Sequence, residues 1–307
     1  MTTEVEGTFD VAGGKSLYTK SWLPAGTPKA NVVFVHGFSD HINRYQNLFA
    51  SLAARGIAVH GFDQRGWGRS VSKPAEKGLT GPTATVIADL AAFIKQHLQG
   101  SCPVFVLGHS MGGGEALTLA CDPQYHDSVV KHVRGWLLES PFIGFAKEET
   151  PSWLKILAGR LAGKLLPHKQ LLHVLPPENL STDPATVKSL AEDKLMHNTG
   201  TLEGLSGLLD RTTALTTGAA RPNGGAVRAL WIGHGTVDKA TSFEISNKYF
   251  DEFMGDVKDK EFKVYEGWYH QLHADGKRSE KFFKDVGDWI LARCDDAGAT
   301  TTVGSKL

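Results

Sequence analysis

Six short apolar runs alternate along the chain with stretches that have helical periodicity. The runs are NVVFVHG, IAVHGFD, CPVFVLG, RGWLLES, RALWIGH and EFKVYEG. Continuous apolar runs are typical of strands in a parallel sheet that is covered on both faces. The stretches between them predict helices at 45–55, 85–98, 112–120, 241–254 and 278–294. The alternation therefore predicts an α/β fold with a mostly parallel, doubly wound sheet.

Two segments depart from this alternation. Residues 3–22 alternate in polarity on either side of a Gly-Gly pair, which predicts an N-terminal β-hairpin. Residues 144–215 lack strand-like runs and contain several prolines, and we interpret them as an inserted helical cap. The core domain would then comprise residues 1–143 and 216–295, followed by a disordered tail of small and polar residues at 296–307.

The composition argues against several classes of function. The chain has 33 basic and 33 acidic residues, so it lacks the net positive charge that would attract nucleic acid. Cys102, Cys121 and Cys294 are far apart, which predicts neither disulfides nor a zinc site and fits a reducing intracellular compartment. Neither a phosphate-binding glycine loop nor a histidine pair at ligand spacing is present, so we expect no cofactor and no metal. We also expect neither a secretory signal nor a transmembrane helix.

One motif at a strand-to-helix junction points to covalent catalysis. In VFVLGHSMGGGEALTLA, Gly108, Ser110 and Gly112 form the pattern G-x-S-x-G. This pattern is typical of a nucleophile elbow, in which a strained turn exposes the serine hydroxyl above a sheet. Alone it is weak evidence, because glycines are common at such junctions and a serine there can simply cap a helix.

The order of the later residues tests that interpretation. A nucleophilic serine needs a general base and an acid that orients it, and in α/β-hydrolases these follow in the order Ser, Asp or Glu, His. Asp238 and His270 each follow a predicted strand in that order. We therefore predict a catalytic triad of Ser110, Asp238 and His270. Glu139 is an alternative acid, and His273 is an alternative base that we expect to brace the loop instead.

An oxyanion hole is also predicted. One backbone N-H would come from Met111, which follows the nucleophile, and the other from Phe38 in the loop after NVVFV.

These residues match a known family. HGFSDHINRY, FDQRGWGRS, GHSMGG, GHGTVD and YEGWYHQLH resemble the monoacylglycerol lipases of the serine α/β-hydrolase superfamily, from Val5 to about Ala292. The resemblance implies an α/β-hydrolase fold with the same triad and oxyanion hole. It also implies hydrolysis of a single-chain lipid ester, above all a monoacylglycerol, through an acyl-enzyme on Ser110. Relatives often carry a small residue where Phe38 stands, so we expect a narrower acyl or alcohol pocket.

The segment PSWLKILAGRLAGKLLP within the predicted cap has the pattern of an amphipathic helix. Leu154, Leu157 and Leu161 lie on its apolar stripe, and we predict that they bind substrate. Lys155 and Lys164 could snorkel toward a lipid surface, so the helix would be a lid that touches lipid transiently. The alternative is a buried cap helix with no contact with lipid.

Two other functions remain open at this stage. One is an esterase or acyl-thioesterase acting on another metabolite, including one of secondary metabolism. The other is a non-catalytic ligand receptor with an α/β-hydrolase fold, which only a test for turnover can distinguish.

The final three residues predict a location. Ser305, Lys306 and Leu307 form the tripeptide that the peroxisomal import receptor recognises at a free C-terminus. We therefore expect a peroxisomal enzyme, with a cytosolic pool as the alternative.

Overall fold

The computed structural model describes residues 2–149 and 162–294. Within these ranges the centre is an eight-stranded sheet. Its strands are β1 Thr3–Val11, β2 Lys15–Leu23, β3 Ala30–Val35, β4 Ile57–Phe62, β5 Val104–His109, β6 Gly135–Glu139, β9 Ala229–Gly235 and β10 Asp259–Tyr265. Strands β7 Gln170–Leu172 and β8 Thr199–Thr201 form a separate antiparallel pair.

The strand order in the large sheet is β1-β2-β4-β3-β5-β6-β9-β10. Strands β1 and β2 form an antiparallel hairpin, and β2 pairs antiparallel with β4. Every other neighbouring pair in this sheet is parallel. The predicted hairpin and the mostly parallel sheet of an α/β-hydrolase fold are therefore confirmed.

Seven α-helices lie entirely within the described ranges, and residues 162–165 are helical as well. They are α1 Gln46–Ala54, α2 Thr83–His97, α3 Met111–Cys121, α4 Pro184–Glu192, α5 Leu202–Thr216, α6 Phe243–Phe253 and α7 Ser279–Leu291. Short 3₁₀ helices occupy Ile42–Tyr45, Gly68–Ser70, Pro74–Glu76, Pro123–Tyr125, Val130–His132, Lys147–Glu149, Pro177–Asn179, Leu272–Ala274 and Gly276–Arg278. None of the helices in the described part of the chain is long and apolar enough to cross a membrane.

The central strands of the sheet are buried on both faces, which explains the continuous apolar runs. On one face, Val33 and Val35 of β3 belong to a core cluster that includes residues of α2, α3 and α6. On the other face, Val32 and Phe34 belong to a cluster that includes residues of α1 and α7. Alternate residues of one strand thus enter opposite cores, so the strand is apolar at successive positions.

The segment between β6 and β9 contains the small sheet and helices α4 and α5. We call residues 144–215 the insert, using the predicted boundaries of the cap. Its two short strands were not predicted, because three-residue strands are too short to give a recognisable apolar pattern. Helix α5 is tied to the core by Arg211, which donates to Glu115 of α3 at 3.2 Å and to Thr83 of α2 at 3.2 Å. The division into core and cap domains stays a prediction.

Candidate active site

Ser110 occupies a strained turn between β5 and α3. Its φ of 53° and ψ of −119° lie in a region that residues other than glycine rarely adopt. The glycines on either side are needed because the backbone packs closely around the turn. A Cβ on Gly108 would lie 2.5 Å from the carbonyl oxygen of Gly112, and one on Gly112 would lie 2.3 Å from that of Val35. The turn is thus the predicted elbow, and its geometry requires the motif.

Asp238 and His270 meet at the carboxyl end of the sheet. Asp238 follows β9, His270 follows β10, and His270 Nδ1 lies 2.8 Å from Asp238 Oδ2. The other carboxylate oxygen, Oδ1, accepts from the backbone N-H groups of Ala240 at 2.8 Å and Thr241 at 3.0 Å. These contacts fix the carboxylate so that it can hold the His270 ring in one orientation.

The environment keeps Asp238 ionised although its side chain has no exposed surface. Burial alone would raise the pKa of Asp238, but His270 and His234 beside it lower that pKa well below its usual range. An anionic Asp238 accepts the Nδ1 proton of His270, which leaves Nε2 of the ring as the basic nitrogen.

Ser110 and His270 line one cavity of about 270 Å³. Gly37, Phe38 and Asp40 of the loop after β3 line the same space. The structure therefore brings Ser110, Phe38 and His270 to a single cavity, with Asp238 behind His270.

The two alternative residues pair with each other. Glu139 Oε1 accepts from the backbone N-H of His273 at 2.9 Å and lies 2.8 Å from its Nδ1. Burial lowers the pKa of His273 to about 3 and raises that of Glu139. His273 thus braces the loop that carries His270, as the sequence analysis expects.

His109 joins this buried pair. Ligand atoms of His109, Glu139 and His273 lie within 4.8 Å of one another, a spacing that could in principle hold a metal ion. The contacts favour a hydrogen-bonded cluster instead, because the Nδ1 of His273 and the Oε1 of Glu139 already face each other at 2.8 Å. Burial lowers the pKa of His109 well below its usual range, so this ring is neutral.

The loop after β3 lies directly against the nucleophile. A Cβ on Gly37 would be 3.3 Å from Ser110 Cβ, so the backbone before Phe38 touches the elbow. Gln64 fixes the start of the loop, because its backbone N-H donates to His36 Nε2 and its side chain to the His36 carbonyl, both at 2.9 Å. Met111 begins helix α3, whose N-terminal end favours negative charge. Both predicted oxyanion residues therefore flank Ser110.

Ser110 lies where a cavity of mixed polarity and an apolar cavity meet. The apolar cavity has a volume of about 310 Å³ and also contains Phe38 and Leu175 of the first cavity. Its further lining consists of Met111, Phe142, Phe145, Glu149, Leu171, Leu172, His173, Leu205, Leu208, Leu209, Ala240 and Thr241. Ser110 therefore lies between two spaces that differ in polarity.

The apolar lining includes residues that the sequence analysis missed. Leu205, Leu208 and Leu209 project from α5 into the cavity, and their spacing along a helix was an available signal. The predicted substrate-binding residues Leu154, Leu157 and Leu161 lie outside the described residues.

Comparison with known proteins identifies the family. The model of the family described as Serine aminopeptidase, S33, matches residues 26–277. The chain belongs to this family of serine hydrolases. A Schizosaccharomyces pombe protein assigned by name to the monoglyceride lipases is 32% identical over 89% of this chain and 71% of its own length. The mouse monoglyceride lipase is 28% identical over 94% of this chain and 91% of its own length. The predicted family resemblance is confirmed.

A solved structure shows the same fold. The crystal structure of a soluble variant of monoglyceride lipase from Saccharomyces cerevisiae, in complex with a substrate analogue, superposes with a TM-score of 0.85 at 22% identity. The alignment covers 98% of this chain and 97% of that chain. The family fold therefore extends over almost the whole chain.

The tight packing at the elbow leads to a first prediction. Gly112→Ala places a methyl group against the Val35 carbonyl, so we expect the free energy of unfolding to fall by about 2–3 kcal/mol. We also expect slower labelling of Ser110 by a fluorophosphonate. Urea unfolding and labelling rates measure both effects. Gly100→Ala is the matched control, because a Cβ at Gly100 meets nothing within 4 Å. Equal stability of the two variants would contradict the steric argument.

Proposed function

We propose that this chain hydrolyses monoacylglycerols to glycerol and a fatty acid, with Ser110 as nucleophile, His270 as general base and Asp238 as the acid that orients it. The observation that carries the proposal is the position of Ser110 between an apolar cavity and a cavity of mixed polarity that also contains Asp40, Asn198 and His270. A monoacylglycerol is asymmetric in the same way, because one side of its ester carries an apolar acyl chain and the other side carries a polar diol.

The proposed reaction has two steps. Ser110 Oγ attacks the ester carbonyl as its proton passes to His270 Nε2, and the negative oxygen is bound by the N-H groups of Phe38 and Met111. The C-O bond to glycerol then breaks, and His270 gives its proton to the departing alkoxide. A water molecule then attacks the acyl carbonyl as His270 takes its proton. The bond between the carbonyl carbon and Ser110 Oγ breaks, His270 returns the proton to Ser110, and the fatty acid is released.

The relatives and the cavity dimensions support this substrate class. Both curated relatives described above carry monoglyceride lipase names, and the solved relative was crystallised with a substrate analogue. The apolar cavity, at about 310 Å³, lies at the low end of the range of about 300–1,000 Å³ for ligand pockets. A cavity of this size suits one acyl chain better than three.

Part of the insert presents apolar side chains to solvent. Leu165 is 83% exposed and Leu172 is 72% exposed, and both belong to the insert. Leu166 and Val174 are also exposed nearby in sequence. We propose that this region makes the transient contact with lipid expected of the cap, because exposed apolar side chains that cluster together mark surfaces that bind a membrane or another protein.

The catalytic assignment leads to a second prediction. Ser110→Ala should lower kcat for monoacylglycerol by about a million-fold, and Asp238→Asn by about ten-thousand-fold, because Asn cannot hold the required His270 tautomer. A fluorophosphonate should label the wild type and leave Ser110→Ala unlabelled. Labelling that survives in Ser110→Ala would refute the assignment.

The same measurements separate the alternatives. A panel of monoacylglycerols, triacylglycerols, acyl-CoA, aryl acetates and an aminoacyl amide distinguishes a lipase from a thioesterase, a short-chain esterase or a peptidase. Absence of turnover on every member, despite saturable ligand binding, would favour the non-catalytic receptor.

The apolar cavity leads to a third prediction. Leu208→Asp places a carboxylate in its wall, so activity on long-chain monoacylglycerols should fall at least about 10-fold more than activity on aryl acetates. Thr213→Asp on the exposed side of the same helix is the control. Equal losses on both substrates in Leu208→Asp would show that α5 has only a structural role.

We further propose import into peroxisomes through Ser305, Lys306 and Leu307, which lie outside the described residues. A fluorescent protein fused before residue 1 should give puncta that coincide with a peroxisomal marker. Deletion of the tripeptide should make the signal diffuse and leave ester hydrolysis unchanged. A diffuse signal from the full-length fusion would contradict the proposal.

A further inference from the structure

The loop that carries Phe38 is bonded to the core on one side. We call residues 36–45 the oxyanion loop. The backbone N-H of Gly37 donates to the hydroxyl of Tyr45 at 3.4 Å, and that hydroxyl donates to Asp40 Oδ2 at 2.6 Å. Further along, the backbone N-H of Ile42 donates to Asp63 Oδ1 at 2.9 Å. The first two bonds lie within the loop, and the third connects Ile42 to the core.

The insert holds the second half of the loop through Asp193, which directly follows α4. Asp193 Oδ2 lies 2.9 Å from His41 Nε2 and accepts from Arg44 Nη1 at 2.9 Å. Its other oxygen accepts from the backbone N-H of Leu195 at 3.0 Å, which fixes the carboxylate within the insert. One carboxylate thus connects two points of the oxyanion loop to a rigid turn of the insert.

The environment of this carboxylate favours strong bonds. Its side chain is 18% exposed, so solvent screening is limited. Burial alone would raise the pKa of Asp193, but the bonds from His41 and Arg44 lower it, so the group is anionic. Hydrogen bonds to an ionised group are about twice as strong as those between neutral groups.

A second set of contacts lies five residues further on. The backbone N-H of Asn198 donates to Ser39 Oγ at 2.6 Å, and both residues have positive φ values, 52° and 54°. The ring of His197 stacks on Trp67 at 5.0 Å, and Trp67 packs against the ring of Phe38 at 4.8 Å. Strained backbone on both sides of one bond indicates that the surrounding contacts impose this arrangement.

We propose that Asp193 is a positioning residue that couples the insert to the oxyanion hole by holding the loop on which the Phe38 N-H is carried. The proposal rests on the function proposed above. Without the carboxylate, the bonds from Asp63 and Asn198 keep the loop folded. Its second half, at His41 and Arg44, loses its bond to the insert, so the loop can shift relative to Ser110. Because an oxyanion donor acts on charge that develops only in the transition state, the loss should appear in kcat and not in KM.

The test compares Asp193→Asn and Asp193→Ala with the wild type. Removal of one oxyanion donor lowers kcat by about 10²–10³-fold, so displacement of the Phe38 N-H should lower kcat on an aryl acetate by about 10–100-fold. We expect KM for this ester to change less than threefold. The affinity for a trifluoromethyl ketone, whose adduct carries an oxyanion, should fall by the same factor as kcat. Rates are expressed per active site titrated with a fluorophosphonate, so that misfolded protein does not lower the measured kcat.

The controls separate positioning from stability. Glu192→Gln alters the neighbouring residue, whose side chain is 68% exposed, and should leave kcat unchanged. Asp193→Glu keeps the charge and should recover part of the lost kcat. If Asp193→Asn lowers only the melting temperature, and kcat per titrated site and ketone affinity stay within threefold of wild type, the proposal is wrong. If Asp193→Ala does not fold, the kcat and ketone affinity of Asp193→Asn alone decide whether the proposal holds. A wild type that is neither labelled nor active would instead refute the proposed function.

Discussion

The close approach of helix α3 to strand β3 is the constraint on which the site depends. The backbone of Gly112 lies so near the Val35 carbonyl that a side chain on Gly112 has no space. This contact brings the first turn of α3 over the end of β5 and forces Ser110 into its strained conformation. It also sets the separation between the two candidate oxyanion donors, because one belongs to α3 and the other to the loop that continues β3.

Two histidine-carboxylate pairs lie next to each other at the carboxyl end of the sheet, and their environments give them different properties. Asp238 is held by His270 and His234 and is ionised, and His270 faces a cavity. Glu139 and His273 are enclosed by protein, where burial opposes the charged form of each. The first pair faces a cavity, whereas the second pair holds the loop that carries His270.

The sequence predicts most of the fold because its strands are buried on both faces and its turns use characteristic residues. The strand at Val104–His109 and the elbow after it illustrate this, since their apolar run and glycines have a direct steric cause. The predicted triad residues are also brought together, because strand ends determine their positions. The small sheet at Gln170–Leu172 and Thr199–Thr201 was missed, since its pairing depends on contacts with the core and not on a local pattern. Asp193 gave no signal for the same reason: its partners His41 and Arg44 are about 150 residues away in the chain.

The contacts of the insert are divided between two separate stretches, and this division matters for protein engineering. Helix α5 lines the apolar cavity, whereas the turn from Asp193 to Asn198 bonds to the oxyanion loop. A chimera that exchanges only α5 with a relative would change the acyl-chain environment and keep the native loop contacts. A chimera that exchanges the whole insert must also take Ser39, His41 and Arg44 from the same parent, because these residues and the turn form one matched set.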